Sequence, residues 1–245
     1  MLVLLSPAKT LDETKDPYPR FTQADGMHKT QELLALLRLQ SAEDLGQLMG
    51  ISPKLAALNF QRYQHFSEQD AKQALLCFKG DSYKDIEVEH YNDADFEFAQ
   101  TTLRILSGLY GVLRPLDLMR PYRLEMGTKL GKGLYQFWGD EITELLNQAI
   151  AKHGHDAVIN LASQEYFAAV KPEQLQAHVI TPVFKEKQGG NLKIIGLFAK
   201  RARGMMTNHI IRQRLEEPSA LQTFKEDGYQ YAPDLSDAQN WVFIR

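Results

Sequence analysis

The sequence holds one cysteine, Cys77, so no internal disulfide can form and no Cys–His zinc spacing exists. Within A-L-L-C-F that cysteine reads as a small core residue rather than a nucleophile. No apolar run approaches the ~20 residues of a membrane span. The run at 2–5 is too short, and lacks the basic lead, for a signal peptide. No Walker loop, dinucleotide glycine fingerprint, internal repeat, low-complexity tract or linker is present. Charge of one sign is lacking too: with a formal net charge of -3, any anion site has to come from local clustering. What remains is an ordinary globular composition, expected in a reducing cytoplasm, with 1–245 read as a single domain and no membrane contact.

Periodicity and punctuation give helices and strands in mixed order. The apolar run 1–5, closed by Ser6 and Pro7, reads as a short buried strand. Residues 12–20, with Pro17 and Pro19, read as a loop, and a leucine-rich helix follows over about 27–40. Ser41 with an acid three residues on is close to a capping box and starts a second helix. Pro53 opens a third, through about Tyr63, and a fourth covers 68–78. Ile86 and Val88 alternate with Glu87 and Glu89, which predicts an extended strand. A helix starts at Asp93. After a glycine-rich bend at 127–133 come a helix over about 135–152, a buried strand at 157–161 and a short helix capped by Ser163. Strands at 178–185 and 192–198 flank Gly189 and Gly190 as a hairpin. A basic helix at 199–214, a short helix at 218–224 and strands at 229–231 and 241–244 complete the order. Without a regular βαβ rhythm this predicts an α+β fold, with a small, mainly central sheet surrounded by helices.

The middle of the chain, 103–126, concentrates apolar residues, turn formers and arginines. Arg104, Arg114, Arg120 and Arg123 are offset there only by Asp117 and Glu125. Pro115 and Pro121 forbid a continuing helix, so the helix from Asp93 is expected to stop near Gly111 and an irregular segment to follow. Guanidinium groups on such a segment suit anion binding. The alternative is a kinked core segment whose arginines pair with acids elsewhere.

Two further stretches carry anion chemistry. At 45–56, a helix ends, Gly50-Ile51-Ser52 turns, and a proline-started helix bearing Lys54 begins. This spacing resembles a helix-hairpin-helix element at about 41–64, with Ser52 in place of the second glycine. A turn that opens a helix presents free N–H groups to a phosphate, holding its backbone without reading sequence. The alternative is a plain αα-corner. At 193–214, Lys193, Lys200, Arg201, Arg203, Arg212 and Arg214 occur without an acid, and Lys200, Arg203 and Thr207 share a helix face. The alternative there is a solvated face.

Other motifs are weaker. Ser6-Pro7-Ala8-Lys9 has the Ser-x-x-Lys spacing of a nucleophile and base, but its companion boxes are missing, and Lys9 reads better as a cationic cleft residue. Glu87 and His90 have a carboxylate-iron spacing that an extended strand would not converge. His153 and His155 lack a third ligand, so no metal site and no cofactor is expected.

Longer blocks carry more. Leu4-Leu5-Ser6-Pro7-Ala8-Lys9-Thr10, Lys79-Gly80-Asp81, the stretch from Leu106 through Leu109-Tyr110-Gly111 and Arg114-Pro115 to Asp117, Pro121-Tyr122-Arg123-Leu124-Glu125-Met126, Phe137-Trp138-Gly139-Asp140 and Asn160-Leu161-Ala162-Ser163 together resemble the YaaA family of bacterial peroxide stress resistance proteins. The resemblance runs to about Arg214. It implies a cytosolic protein that binds double-stranded or branched DNA, an unusual α+β fold with a positively charged cleft and a helix-hairpin-helix element, and an association with lower intracellular free iron.

The expected function is therefore sequence-independent DNA binding in peroxide defence, without catalysis. The DNA contacts would be Gly50, Ile51, Ser52, Lys54, Lys200, Arg201 and Arg203. The alternative is an enzyme acting on nucleotides or nucleic-acid ends, with Lys9, Lys79, Asp81, Tyr110, Arg114, Arg120, Arg123, Glu165 and Tyr166 as cleft candidates and no motif that fixes a reaction. An iron-binding protein is the weakest alternative.

Overall fold

The structure, a computed structural model, describes residues 1–14 and 18–245. The loop expected at 12–20 includes Lys15, Asp16 and Pro17, which lie outside the described residues.

Strand β1 (Leu2–Leu5) is wholly buried, as its unbroken apolar run requires. Two-residue strand β2 (Thr10–Leu11) follows. Helix α1 (Met27–Arg38) buries Leu33, Leu34 and Leu37. Helix α2 (Ala42–Met49) starts from a capping box in which Ser41 Oγ accepts from Asp44 N at 3.1 Å and Asp44 Oδ2 accepts from Ser41 N at 3.0 Å. Gly50 ends α2 at φ 59°, and α3 (Pro53–Gln64) begins with Ser52 as N-cap.

The fourth helix expected at 68–78 is instead β3 (Lys72–Gln73), the single turn α4 (Ala74–Cys77) and β4 (Phe78–Lys79). Pairing of β3 with β7 (Leu118–Met119) and of β4 with β2 overrides the local helical pattern. One-turn α5 (Asp81–Lys84) comes next. The extended strand expected around Ile86–Glu89 is also absent. Glu87 sits at φ 53° and Val88–His90 form a 3₁₀ turn, whose His90 carbonyl accepts from Arg212 Nη1 at 3.0 Å.

Helix α6 (Asp93–Thr102) stops nine residues before the expected Gly111, and the chain enters β5 (Leu103–Ser107) and β6 (Gly111–Leu113). All five residues of β5 are buried, so no polar alternation marked it as a strand. Gly111, at φ +70°, lies under the Trp138 ring, where a Cβ would come within 2.7 Å of the indole. The helix expected over 135–152 is broken at Gly139 (φ 54°) into α7 (Leu134–Trp138) and α8 (Glu141–His153).

Strand β8 (Ala157–Leu161) leads to α9 (Gln164–Phe167). The hairpin around Gly189 and Gly190 forms between β9 (His178–Gln188) and β10 (Asn191–Lys193). Its second strand is shorter than expected, because α10 (Gly196–Gln213) starts three residues earlier than the basic tract indicated. β11 (Gln230–Tyr231) and β12 (Asn240–Ile244) close the chain.

One eight-stranded sheet runs in the order β11-β12-β9-β8-β1-β5-β6, with β10 beside β9. The mixed composition and central sheet agree with expectation. The sheet is largely parallel, however: β12, β9, β8, β1 and β5 run the same way, and only β6, β10 and β11 oppose them. From β1 the chain goes to β5 on one side and later returns to β8 on the other. Such a divergence leaves a crevice beyond the carboxyl ends of the flanking strands. No helix among the described residues is long and apolar enough to cross a membrane.

Candidate functional site

The crevice is built from the ends of β1 and β8. Leu5 pairs with Leu161, so Ser6 and Ser163 meet just beyond. Ser163 N–H donates to Ser6 Oγ at 2.8 Å, and the Ser6 hydroxyl donates to Ser163 Oγ at 3.2 Å. Ser163 holds the N-cap position of α9, but its side chain makes no capping bond, contrary to expectation, because it is turned to Ser6. Tyr83 of α5 donates its hydroxyl to the Ser6 carbonyl at 2.9 Å. On the outer side, Gly204 of α10 lies so close to α5 that a Cβ there would sit 1.9 Å from the Ser82 carbonyl oxygen. That approach carries the α10 face bearing Lys200 and Arg203 over α5.

The cleft there has a volume of about 600 Å³. Of the sequence candidates it collects Lys9, Lys79, Asp81, Arg123, Glu165, Tyr166, Lys200 and Arg203. It adds Ser6, Ser163, Tyr83, Lys84, Tyr122 and Glu125, which sequence reasoning did not select. For Ser6 and Ser163 the signal was their place directly after two fully apolar strand runs, where loops at strand ends build sites.

Three of the six cations lining the cleft already have carboxylate partners. Lys9 Nζ lies 2.7 Å from Glu125 Oε2, and Arg123 Nη2 lies 3.1 Å from Glu125 Oε1. Lys9 is thus held by Glu125 and makes no bond to Ser6, which removes the Ser-x-x-Lys reading. Lys79 stands 3.7 Å from Asp12. The Nε of Arg123 is buried without a hydrogen-bond partner. Glu165 Oε1 accepts the Gly127 N–H at 3.0 Å. By contrast, Lys200 and Arg203 pair with no carboxylate among the described residues. Burial lowers the Arg203 pKa and nothing offsets it. The phenols of Tyr83, Tyr122 and Tyr166 are pushed up by burial and stay neutral.

The remaining candidates lie elsewhere. Tyr110 is buried, and its hydroxyl accepts the Arg120 N–H at 2.9 Å. Arg114 is closed on Asp117, with Nε 3.0 and 3.2 Å from the two carboxylate oxygens, and Asp25 lies 3.4 Å from its Nη2. Arg120 Nε donates to the Gln69 carbonyl at 3.1 Å while its guanidinium lies over the Phe66 ring. Arg104 is buried in β5, donates to the Gln100 and Leu103 carbonyls and is lowered to about 10 by desolvation. Of these three arginines, Arg114 is paired with acids, as the alternative to anion binding expected, whereas Arg104 and Arg120 are taken up by backbone carbonyls. Arg201 turns to Asp85, with two contacts of 3.2 Å.

Gly50, Ile51, Ser52 and Lys54 form the α2–α3 corner and do not line the cleft. Gly50 N–H is spent on the Gln47 carbonyl, Ile51 N–H on the Gly46 carbonyl, and Leu55 N–H on Ser52 Oγ at 3.4 Å. At the far end of α3, the Tyr63 hydroxyl donates to the Arg123 carbonyl. At 1.5 Å per residue, the corner stands roughly 16 Å from that contact. A second cavity of about 330 Å³ lies at the amino ends of β1 and β8, lined by Met1, His153, His155 and Glu216 among others. Among the described residues, no group of three or more His, Cys, Asp or Glu is placed to hold a metal ion.

Comparison with known proteins agrees with the blocks quoted above. The family model described as peroxide stress protein YaaA matches residues 1–235. The chain is 53% identical to a UPF0246 protein of Acaryochloris marina (strain MBIC 11017), over a 253-residue alignment spanning 100% of both chains.

Proposed function

The chain belongs to the peroxide stress protein YaaA family, and from that premise we propose that it binds DNA without reading its sequence and protects it under peroxide stress. The cleft beyond β1 and β8 holds phosphate, and the α2–α3 corner, as a helix-hairpin-helix element, makes a second and lesser contact through Lys54, since the Gly50, Ile51 and Leu55 amides are already bonded. The observation that carries this reading is the pair Lys200 and Arg203, cations on one face of α10 with no carboxylate among the described residues to neutralise them. A half-buried guanidinium without a counter-ion is costly unless an anion arrives. The association with lowered free iron then accompanies DNA protection in the same stress response.

Binding through phosphates releases counterions, so log affinity falls against log salt with a slope of about -0.9 per phosphate neutralised. A mobility-shift titration between about 50 and 200 mM salt measures it. Charge reversal at Lys200 and Arg203 together flattens the slope by roughly 2 and weakens every sequence alike, and reversal at Lys54 flattens it by roughly 1. Affinity that ignores salt, or no binding near 50 mM, refutes the proposal.

The cleft's volume and its place at the carboxyl ends of parallel strands also favour a second reading, an enzyme acting on nucleotides or nucleic-acid ends. Turnover by purified protein, lost on changing Lys9 or Arg123, would promote that reading over the first.

A further inference from the structure

The cleft differs between mouth and floor. Lys200 stands exposed at the mouth and Arg203 half-buried beside it, whereas Tyr83, Tyr122 and Tyr166 are buried below. The floor carries no free charge from these phenols, and it is internally bonded. Tyr83 reaches the Ser6 carbonyl, Ser6 and Ser163 bond each other, and Tyr122 Oη lies 2.6 Å from Ser107 Oγ. A prearranged surface of hydroxyls and neutral phenols at the base of a pocket whose charges stand around it suits the uncharged part of a ligand, one with hydrogen-bonding edges.

Size sets a second limit. A volume of about 600 Å³ lies within the span of small-molecule sites, roughly 300–1,000 Å³, and the major groove of a duplex alone is about 12 Å wide. A double helix can lie across the mouth but cannot enter. The free cations are also few, since Lys9 and Arg123 are both drawn to Glu125. The three lining cations without a carboxylate among the described residues, Lys84, Lys200 and Arg203, match one phosphate group and its immediate neighbour rather than a long row of them.

Resting on the DNA-binding reading, we infer that the cleft receives one unpaired nucleotide of a DNA strand, its phosphate between Lys200 and Arg203 and its base on the Ser6–Ser163–tyrosine floor. Extruding a paired base costs its pairing and stacking, so a nucleotide that is already unpaired is taken preferentially.

The test uses the full chain and two duplexes, one fully paired and one carrying a single unpaired 2-aminopurine. The expected result is affinity about tenfold or more higher for the second, equivalent to about 1.4 kcal/mol, with a change in 2-aminopurine fluorescence on binding. Ser163→Val fills the floor, so it brings the affinity for the second duplex down to that for the paired one and abolishes the fluorescence change. Charge reversal at Lys200 and Arg203 weakens both. Equal affinities with an unchanged fluorescence signal overturn the inference while leaving DNA binding standing. Failure to bind either duplex removes the DNA-binding reading itself, and this inference with it. Free deoxyadenosine monophosphate separates the two sources of the ligand. Displacement of the oligonucleotide at equal concentration would make the ligand a free nucleotide and overturn the strand assignment, whereas weak or no competition supports it. If Ser163→Val does not fold, the fluorescence of wild-type complexes still decides the matter.

Discussion

Replacing Gly204 with alanine tests the contact that aligns the cleft. The added Cβ would lie 1.9 Å from the Ser82 carbonyl oxygen, 2.8 Å from its carbonyl carbon and 3.2 Å from its Cα. All three are backbone atoms, so no side chain can rotate away. Relief requires α10 and α5 to part by about 1 Å or more, because carbon contacts are comfortable only near 3.5 Å. Overpacking of this kind costs about 1–3 kcal/mol, and a backbone obstacle belongs at the upper end. Alanine's better helix propensity returns about 1 kcal/mol, which leaves a net loss of about 2 kcal/mol. In a chain of this size that lowers Tm by about 4–8 °C. The control is Gly196→Ala on the same helix, where an added Cβ meets nothing within 4 Å and stability holds or rises. Thermal or urea unfolding of the three proteins, with DNA titration of each, is the assay. The displacement carries Lys200 and Arg203 outward, so Gly204→Ala also weakens DNA binding. A Gly204→Ala protein as stable as Gly196→Ala would show that α10 does not press on α5 as described, and the cleft would lose its outer wall.

Two further outcomes follow from burial. Cys77 is 1% exposed and its thiol is pushed up to about 12 by desolvation, so the thiolate that peroxide and disulfide reagents attack is scarce at neutral pH. Ellman's reagent should label it only after urea is added, and rapid labelling of the folded protein would refute its burial. His155 lies half-buried with Nε2 3.2 Å from the Thr101 carbonyl, and desolvation lowers its pKa in the fold. Its contribution to stability is then complete above the unfolded value near 6.5 and is lost as pH falls through the lowered folded value. Urea unfolding at pH 7.5 and pH 5 should show a shallower pH dependence for His155→Gln than for the wild type, and identical dependences would refute it.

Helix starts were readable wherever a local bond defines them. Ser41 and Asp44 form their reciprocal pair, Asn92 and Asp95 form another, and Pro53 opens α3, all within four residues of sequence. Strand β5 was not readable, because its five residues are buried on both faces and lack the alternation that separates strand from helix. The same burial hid the parallel order of the sheet. Crossovers here are long and irregular, so the neighbours of β1 are set by packing between residues about 100 and 155 positions apart.

The candidate site divides along the same line. Composition shows how many cations a segment has, but not which acids reach them from elsewhere in the chain. Arg114 and Arg201 look alike in sequence as exposed anion-gripping groups, yet Asp117 closes one and Asp85 the other. Arg203 differs from Arg201 by two positions, about 200° around the helix, and that rotation places it over the cleft instead of beside Asp85. That it meets no acid among the described residues therefore depends on the seating of α10, which only a glycine at 204 permits at that point of contact. Anion affinity in this protein is thus a property of helix placement more than of charge content. The near-neutral total does not conflict with Lys200 and Arg203 being unpaired among the described residues, because the net charge counts acids wherever they lie in the fold.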